Sequence, residues 1–291
     1  MKALLLGAGG MLAQDIRREA PPDTSLMAPA EREADVTDES AMRRLIAHTV
    51  PDVIINCAAY TNVDGAEKDR DLAFLVNGEA LGIIGRAAAT STHPLVVHFS
   101  TDYVFDGRGS RPYREDDATG PLGVYGASKL AGERALAASG ARHLIVRTSW
   151  LFGMHGRSFP RTMWQRAAAR QATRVVNDQV GRPTYTVDLA RATWGLVGKQ
   201  EAGSGKQGHV MHVANRGETT WYDVARRVFA AAGVPELVSP CTTAEYPTPA
   251  RRPMYSVLDT SQYESLMGEP PPHWENAVDC FLAEIAAEVA Q

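Results

Sequence analysis

Tyr125 and Lys129 stand four residues apart in Tyr125-Gly126-Ala127-Ser128-Lys129. On a helix that spacing puts both side chains on one face, one turn apart. An ammonium beside a phenol favours the phenolate and lowers the tyrosine pKa from about 10 toward neutrality, which suits a proton donor to a carbonyl. Such a site needs a hydroxyl to orient the carbonyl oxygen. Ser100-Thr101 closes an apolar run, at the carboxyl end where open α/β sheets place their ligands. A second chemical signature is Gly7-Ala8-Gly9-Gly10-Met11-Leu12-Ala13, between an apolar run and a helix. Glycine allows the tight turn and close approach of backbone N–H groups to a pyrophosphate, and the helix N-terminus favours its charge. Ala13 is small enough for close helix–sheet packing. No Gly-Lys-Ser/Thr follows, so this is not a nucleoside triphosphate loop.

These side chains need elements to hold them. Short apolar runs separated by helical periodicity predict strands over 3–6, 25–28, 53–57, 95–99 and 143–147. Helices are predicted from Met11 and over 38–48, 69–90 and 125–139, with Asp38 or Thr37 capping the second. Leu72, Leu75, Val76, Leu81, Ile84 and Ala88 give the 69–90 helix one apolar stripe. The βαβ series implies an α/β fold, a Rossmann-type doubly wound parallel sheet with right-handed crossovers. Beyond Trp150 the pattern loosens into helices over 158–170, 188–198, 220–232 and 274–289, with strands over 174–177 and 210–214. The expected organisation is an NAD(P)-binding domain over 1–150, with returning segments near 178–215, and a smaller α/β substrate lobe mainly over 151–291. The second strand of such a domain usually ends in an acid that holds the adenosine ribose. Ala30 stands there instead, with Arg32 close by, which leaves room for a 2′-phosphate and favours NADPH without excluding NADH.

Composition sets the outer bounds. Thirty basic against 34 acidic residues, a formal charge of −4, argue against a chain that tracks nucleic acid or coats an anionic membrane. Three cysteines are too few for a disulfide framework or a cysteine-based zinc site. No apolar run approaches the roughly 18 to 20 residues of a membrane span, and the N-terminus lacks a signal-peptide pattern, so a cytoplasmic enzyme is expected. His98 lies in an apolar strand and reads as a core histidine. His209 and His212 fall on opposite strand faces and make a poor metal pair, and no metal is expected. Trp164, Trp194, Trp221 and Trp274 read as core or lobe-contact residues.

Longer motifs surround the reactive positions. They include Phe99-Ser100-Thr101-Asp102-Tyr103-Val104-Phe105-Asp106-Gly107 and Tyr125-Gly126-Ala127-Ser128-Lys129-Leu130-Ala131-Gly132-Glu133. Others are Asn56-Cys57-Ala58-Ala59-Tyr60-Thr61-Asn62-Val63-Asp64, Arg147-Thr148-Ser149-Trp150 and Asp178-Gln179-Val180-Gly181-Arg182-Pro183-Thr184. On these the chain resembles the extended short-chain dehydrogenase/reductase superfamily and, within it, the dTDP-4-dehydrorhamnose reductase family. The motifs run from Gly7 to Asp259, nearly the whole chain. The resemblance implies Thr101, Tyr125 and Lys129 as the catalytic set. It implies Gly7, Gly10, Met11 and Leu12 at a cofactor pyrophosphate, Asp35 and Val36 beside the adenine, and Ala58, Ala59, Tyr60, Thr61, Asn77 and Phe99 along the cofactor. Asp102, Tyr103 and Trp150 would lie beside the sugar nucleotide, with Arg182 near its diphosphate. The implied reaction is NAD(P)H-dependent reduction of dTDP-4-dehydro-6-deoxy-L-mannose to dTDP-L-rhamnose, by a monomer or homodimer. Ala30, and Cys57 where alanine is usual, depart from the family pattern. Sugar-nucleotide 4,6-dehydratases carry Asp-Glu after their threonine; here Asp102-Tyr103 follows, which favours simple reduction. Two alternatives stand beside this one: reduction of another dTDP-4-keto-6-deoxy sugar, and a non-catalytic regulatory subunit similar to that of methionine adenosyltransferase.

Overall fold

In the computed structural model, β1 (Lys2–Leu6) runs into α1 (Met11–Arg18), β2 (Ser25–Met27) and α2 (Glu39–Thr49). β3 (Val53–Asn56) is followed by α3 (Val63–Ala66), α4 (Arg70–Phe74) and α5 (Ala80–Ala89), and β4 (Leu95–Thr101) leads to α6 (Val124–Ala137) and β5 (His143–Thr148). Then come β6 (Leu151–Phe152), α7 (Phe159–Ala168), β7 (Thr173–Val176), β8 (Val180–Gly181), β9 (Thr184–Tyr185) and α8 (Thr186–Glu201). The chain ends with β10 (His209–His212), β11 (Thr219–Thr220), α9 (Trp221–Ala231), β12 (Val238–Cys241), α10 (Ser261–Met267) and α11 (Trp274–Val289). The structure describes residues 1–201 and 208–289; 202–207 and 290–291, within the range read as the second lobe, lie outside the described residues.

Six strands form one sheet in the order β2-β1-β3-β4-β5-β10, and every pairing is parallel. The chain steps from β1 outward to β2, then crosses to the other side of β1 to lay down β3. Loops leaving β1 and β3 therefore diverge, and a crevice opens at the carboxyl ends of those two strands.

Side chains alternate between the two faces of the sheet. Leu5, Ile55, Val97 and Val146 pack against Ile16 of α1 and Leu189 and Val197 of α8. Leu4, Ile54, Val96 and Ile145 meet Met42 and Ile46 of α2 and Ile84 of α5. Helix α8 and strand β10 thus complete a layer begun at β1, near the other end of the chain; Trp194 seals the join, its Nε1 donating to the Ile16 carbonyl at 2.9 Å. A separate core around Phe152, Phe229 and Phe281 holds α7, α9 and α11 together.

The long helix expected over 69–90 is not uniform. A π turn, Leu75–Glu79, joins α4 to α5. It offsets the two halves of the expected stripe, so Leu72 is 48 % exposed while Asn77 is fully buried. By length and composition 70–89 could cross a membrane, but most of it is buried inside the protein. Strand β4 is two residues longer than predicted and carries Ser100 and Thr101 within it.

Candidate active site

The crevice between β1 and β3 is a cleft of about 540 Å3. Its near wall is the glycine turn. Gly7 has φ +71°, and a Cβ there would strike the Ala58 main chain, so only glycine fits. Gly10 N–H closes the turn on the Gly7 carbonyl at 3.0 Å, and Gly10, Met11 and Leu12 line the cleft as α1 begins. The first turn of α1 carries no acid, so its N–H groups remain available to an anion.

Ala58, Ala59 and Thr61 form the opposite wall. Asn77 holds that wall from beneath: its Oδ1 accepts from Tyr60 N–H at 2.9 Å, and its Nδ2 donates to the Tyr60 carbonyl and to Ser128 Oγ, both at 3.0 Å. The Tyr60 phenol is committed to Asp69 at 2.7 Å. π turns are rare and concentrate at functional sites, and here the turn is what points Asn77 inward. Asp35 and Val36 do not line this cleft. The Asp35 carboxylate holds Thr37 N–H and hydroxyl at 2.9 and 2.7 Å, which keeps its pKa below the usual range, and Val36 is buried under the sheet.

Phe99, Thr101, Tyr125 and Lys129 converge on the cleft. Helix α6 starts where Glu67 Oε1 accepts from Val124 N–H at 2.9 Å, a carboxylate at a helix N-terminus. Gly126 lets the helix come against the Tyr103 carbonyl, where a Cβ would collide. Thr101 Oγ1 donates to Asp102 Oδ1 at 3.1 Å and accepts from Tyr103 N–H at 3.2 Å. Asp102 is 2 % exposed, and burial lifts its carboxyl to about 7.

One expectation is corrected. Lys129 does not lower the Tyr125 pKa in this state: burial, then the Asp102 charge, push the phenol above its ordinary range. The lysine Nζ is engaged elsewhere, on the Phe99 carbonyl at 2.6 Å and His98 Nε2 at 3.1 Å, and burial brings it down to about 8.

Trp150 lines the same cleft from a left-handed backbone, φ +48°, which is strained for a bulky residue. It stacks on Trp221 at 3.7 Å with an interplanar angle of 10°. Trp221 faces a second cavity of about 440 Å3, as does Tyr103, whose ring meets Tyr125 edge-on at 5.9 Å. Two aromatic pairs therefore join the cavities.

Phe159, Tyr246, Arg166, Arg174 and Arg252 line the second cavity, and sequence reasoning assigned none of these five to the site. A signal existed: Phe159, Thr162, Met163 and Arg166 follow i, i+3, i+4, i+7 spacing, one face of α7. Trp221, read as a core or contact residue, is a wall of this cavity. Arg182 lines neither cavity; its Nη1 donates to Thr260 Oγ1 at 3.2 Å, and burial lowers its pKa. His155 and Arg157, on the loop after β6, were also missed, and both line the first cleft.

A parallel sheet with a glycine turn at its crossover point, and a tyrosine–lysine helix beside it, define a dinucleotide-dependent oxidoreductase of the extended short-chain type. Comparison with known proteins narrows the class. The family described as "RmlD substrate binding domain" matches residues 1–287, and the chain belongs to it, among the dTDP-4-dehydrorhamnose reductases. A dTDP-4-dehydrorhamnose reductase of Mycobacterium tuberculosis is 40% identical, covering 97% of this chain and 92% of its own. A probable dTDP-4,6-dihydroxy-2-methyloxan-3-one 4-ketoreductase of Streptomyces antibioticus is also 40% identical, with 99% and 97% covered. The crystal structure of dTDP-4-dehydrorhamnose reductase from Bacillus anthracis in complex with NADP superposes with a TM-score of 0.90 at 34% identity, over 97% of this chain and 99% of that one.

Proposed function

We propose that the chain reduces the C4 carbonyl of dTDP-4-dehydro-6-deoxy-L-mannose to give dTDP-L-rhamnose, with NADPH as reductant. The observation that carries this reading is the convergence of Thr101, Tyr125 and Lys129 on the cleft opened by the glycine turn. The cleft suits a dinucleotide. At Gly7 the turn leaves no room for a side chain, and the buried hydroxyls of Ser100 and Thr148, which line the cleft, lack protein partners. Gly7, Gly10, Met11 and Leu12 would hold the pyrophosphate; Ala58, Ala59, Tyr60, Thr61, Asn77 and Phe99 would shape the middle; Asp35 and Val36 would flank the adenine. Arg32, 87% exposed past β2 and only loosely paired with Glu33 at 4.0 Å, would meet a 2′-phosphate.

When bound, NADPH supplies the hydride. The chain's residues do the rest. Tyr125 Oη gives its proton to the carbonyl oxygen as negative charge develops there, and Thr101, turning its one O–H away from Asp102 Oδ1, donates to the same oxygen. Lys129, when charged, favours the tyrosinate left behind. Asp102, Tyr103 and Trp150 flank the sugar. The second cavity takes the deoxythymidine diphosphate, with Phe159, Trp221 and Tyr246 offering ring faces and Arg166, Arg174 and Arg252 offering positive charge. Those arginines, rather than Arg182, are then the diphosphate partners.

Loss of reduced-nicotinamide absorbance on adding the keto sugar, followed by product NMR, tests the reading. No turnover with any dTDP-4-keto-6-deoxy sugar would defeat it and favour the regulatory-subunit role. A second reading, reduction of a different dTDP-4-keto-6-deoxy sugar, is favoured by the equal identity of the Streptomyces antibioticus relative. A substrate panel separates the two.

A further inference from the structure

Thr101 carries a single hydroxyl hydrogen, and two acceptors compete for it. In the reductase reading, on which this inference rests, the substrate carbonyl oxygen needs it. In the ligand-free protein Asp102 Oδ1, 3.1 Å from Oγ1, receives it. A hydroxyl oxygen also accepts twice. One Thr101 lone pair holds Tyr103 N–H at 3.2 Å, and one remains. A carboxylic acid at Asp102 fills that place, because the Oδ1–Oγ1 contact serves a hydrogen bond in either direction. With both lone pairs occupied, the Thr101 O–H is released to the cleft that the residue lines.

We infer that Asp102 is a positioning residue for Thr101: as a carboxylic acid it donates to Oγ1 and turns the threonine's hydrogen toward the substrate carbonyl, and as a carboxylate it captures that hydrogen. The setting works against the carboxylate. Asp102 is 2 % exposed, and its Oδ2 is buried with no hydrogen bond to answer a charge. Ser256, Thr101 and the main-chain N–H groups of Asp102 and Tyr103 favour the charged form, but burial outweighs them and lifts the carboxyl to about 7. The same proton matters to Tyr125. A carboxylate at Asp102 opposes the negative charge that Tyr125 acquires on giving up its proton, and a neutral Asp102 removes that opposition. Around Asp102 the titratable and charged groups are Tyr103 on its own turn, Tyr125 and Lys129 from α6, and Arg252 from the segment that leads to Ser256. The Asp102 charge raises Tyr103 as it does Tyr125. Lys129 is held on the Phe99 carbonyl, and its charge interacts with Glu133 and Cys57. Arg252 lies over the Tyr103 ring at 6.0 Å and is paired with Asp64 at 2.9 Å.

Two measurements test the inference. Infrared spectroscopy of the ligand-free protein reads the carboxyl directly. The carbonyl stretch of a buried carboxylic acid should be present at about pH 6, fade by about pH 8, and shift in Thr101→Val, whose methyl group cannot accept the acid's hydrogen. Wild-type and Thr101→Val spectra that coincide in this region would overturn the inference. Single-turnover oxidation of NADPH by the keto sugar reads the consequence. From about pH 6 to about pH 8 the wild-type rate should fall about tenfold. Asp102→Asn keeps an NH2 to donate to Thr101 at every pH, so its rate should change no more than about twofold, the share left to Lys129 at about 8. A flat wild-type profile, or the full fall retained in Asp102→Asn, would equally overturn it. If Asp102→Asn does not fold, the near-isosteric Thr101→Val spectrum decides. The infrared arm uses no sugar, so a protein inert toward every keto sugar defeats the reductase reading while the spectrum still shows which way the Asp102–Thr101 bond runs.

Discussion

Asp102 sits between Thr101 and Tyr103 with its carboxyl raised from 3.8 to about 7, chiefly by burial. The folded chain therefore holds this proton more tightly than the unfolded chain. Across the window from about 3.8 to about 7 the unfolded chain has released it and the folded chain has not, so this group's contribution to stability is lost as pH rises. Asp102→Asn should flatten that slope, read as the urea midpoint at several pH values between 4 and 7. Tyr125→Phe should lower kcat about 10²- to 10⁴-fold, the usual range for a general acid, while the dissociation constant for NADPH, measured by fluorescence quenching, stays close to wild type. The Tyr125–Lys129 pair was legible from spacing alone. The direction of the lysine was not, because it depends on His98 and Phe99, about thirty residues away in the chain and adjacent only after β4 and α6 pack.

At the scale of elements, the π turn between α4 and α5 and the glycine turn before α1 shape the two walls of the cleft. Asn77→Ala would leave the Tyr60 N–H and carbonyl without their partner, a cost of about 1–3 kcal/mol. Helix content by circular dichroism should persist while the urea midpoint falls and NADPH binding weakens. Gly7→Ala meets both a positive φ and the Ala58 main chain, so it should lower the melting temperature and reduce NADPH affinity more than Gly9→Ala, whose Cβ would point into open space. The β1–glycine–α1 unit was readable because turn chemistry is local. The π turn was not: an uninterrupted α-helix gave Leu72 an inward position, and one wide turn set it outside. Likewise the face of α7 showed its spacing, but nothing local says that a helix face lines a cavity rather than a core.

Across the whole molecule, the parallel sheet followed from the apolar runs, and a strand over 210–214 among returning segments was expected; its place at the outer edge is set by the parallel pairing of His209–His212 with Leu144–Arg147, which no local signal shows. A fragment ending at residue 150 lacks Leu189, Trp194, Val197, Met211 and Tyr263, which cover one face of the sheet. It should show no cooperative unfolding transition by circular dichroism, while the full chain does. The overall charge of −4 hides the three arginines at the second cavity, because net charge sums over a surface that the fold sorts into regions.

That late completion of the sheet has a consequence in time. Translation proceeds at roughly 5–20 residues per second, so the stretch from residue 150 to Tyr263 takes on the order of ten seconds to emerge. For that interval the apolar face of β1, β3 and β4 waits on the ribosome for α8 and β10, long enough for a holding chaperone, or a neighbouring nascent chain, to reach it first.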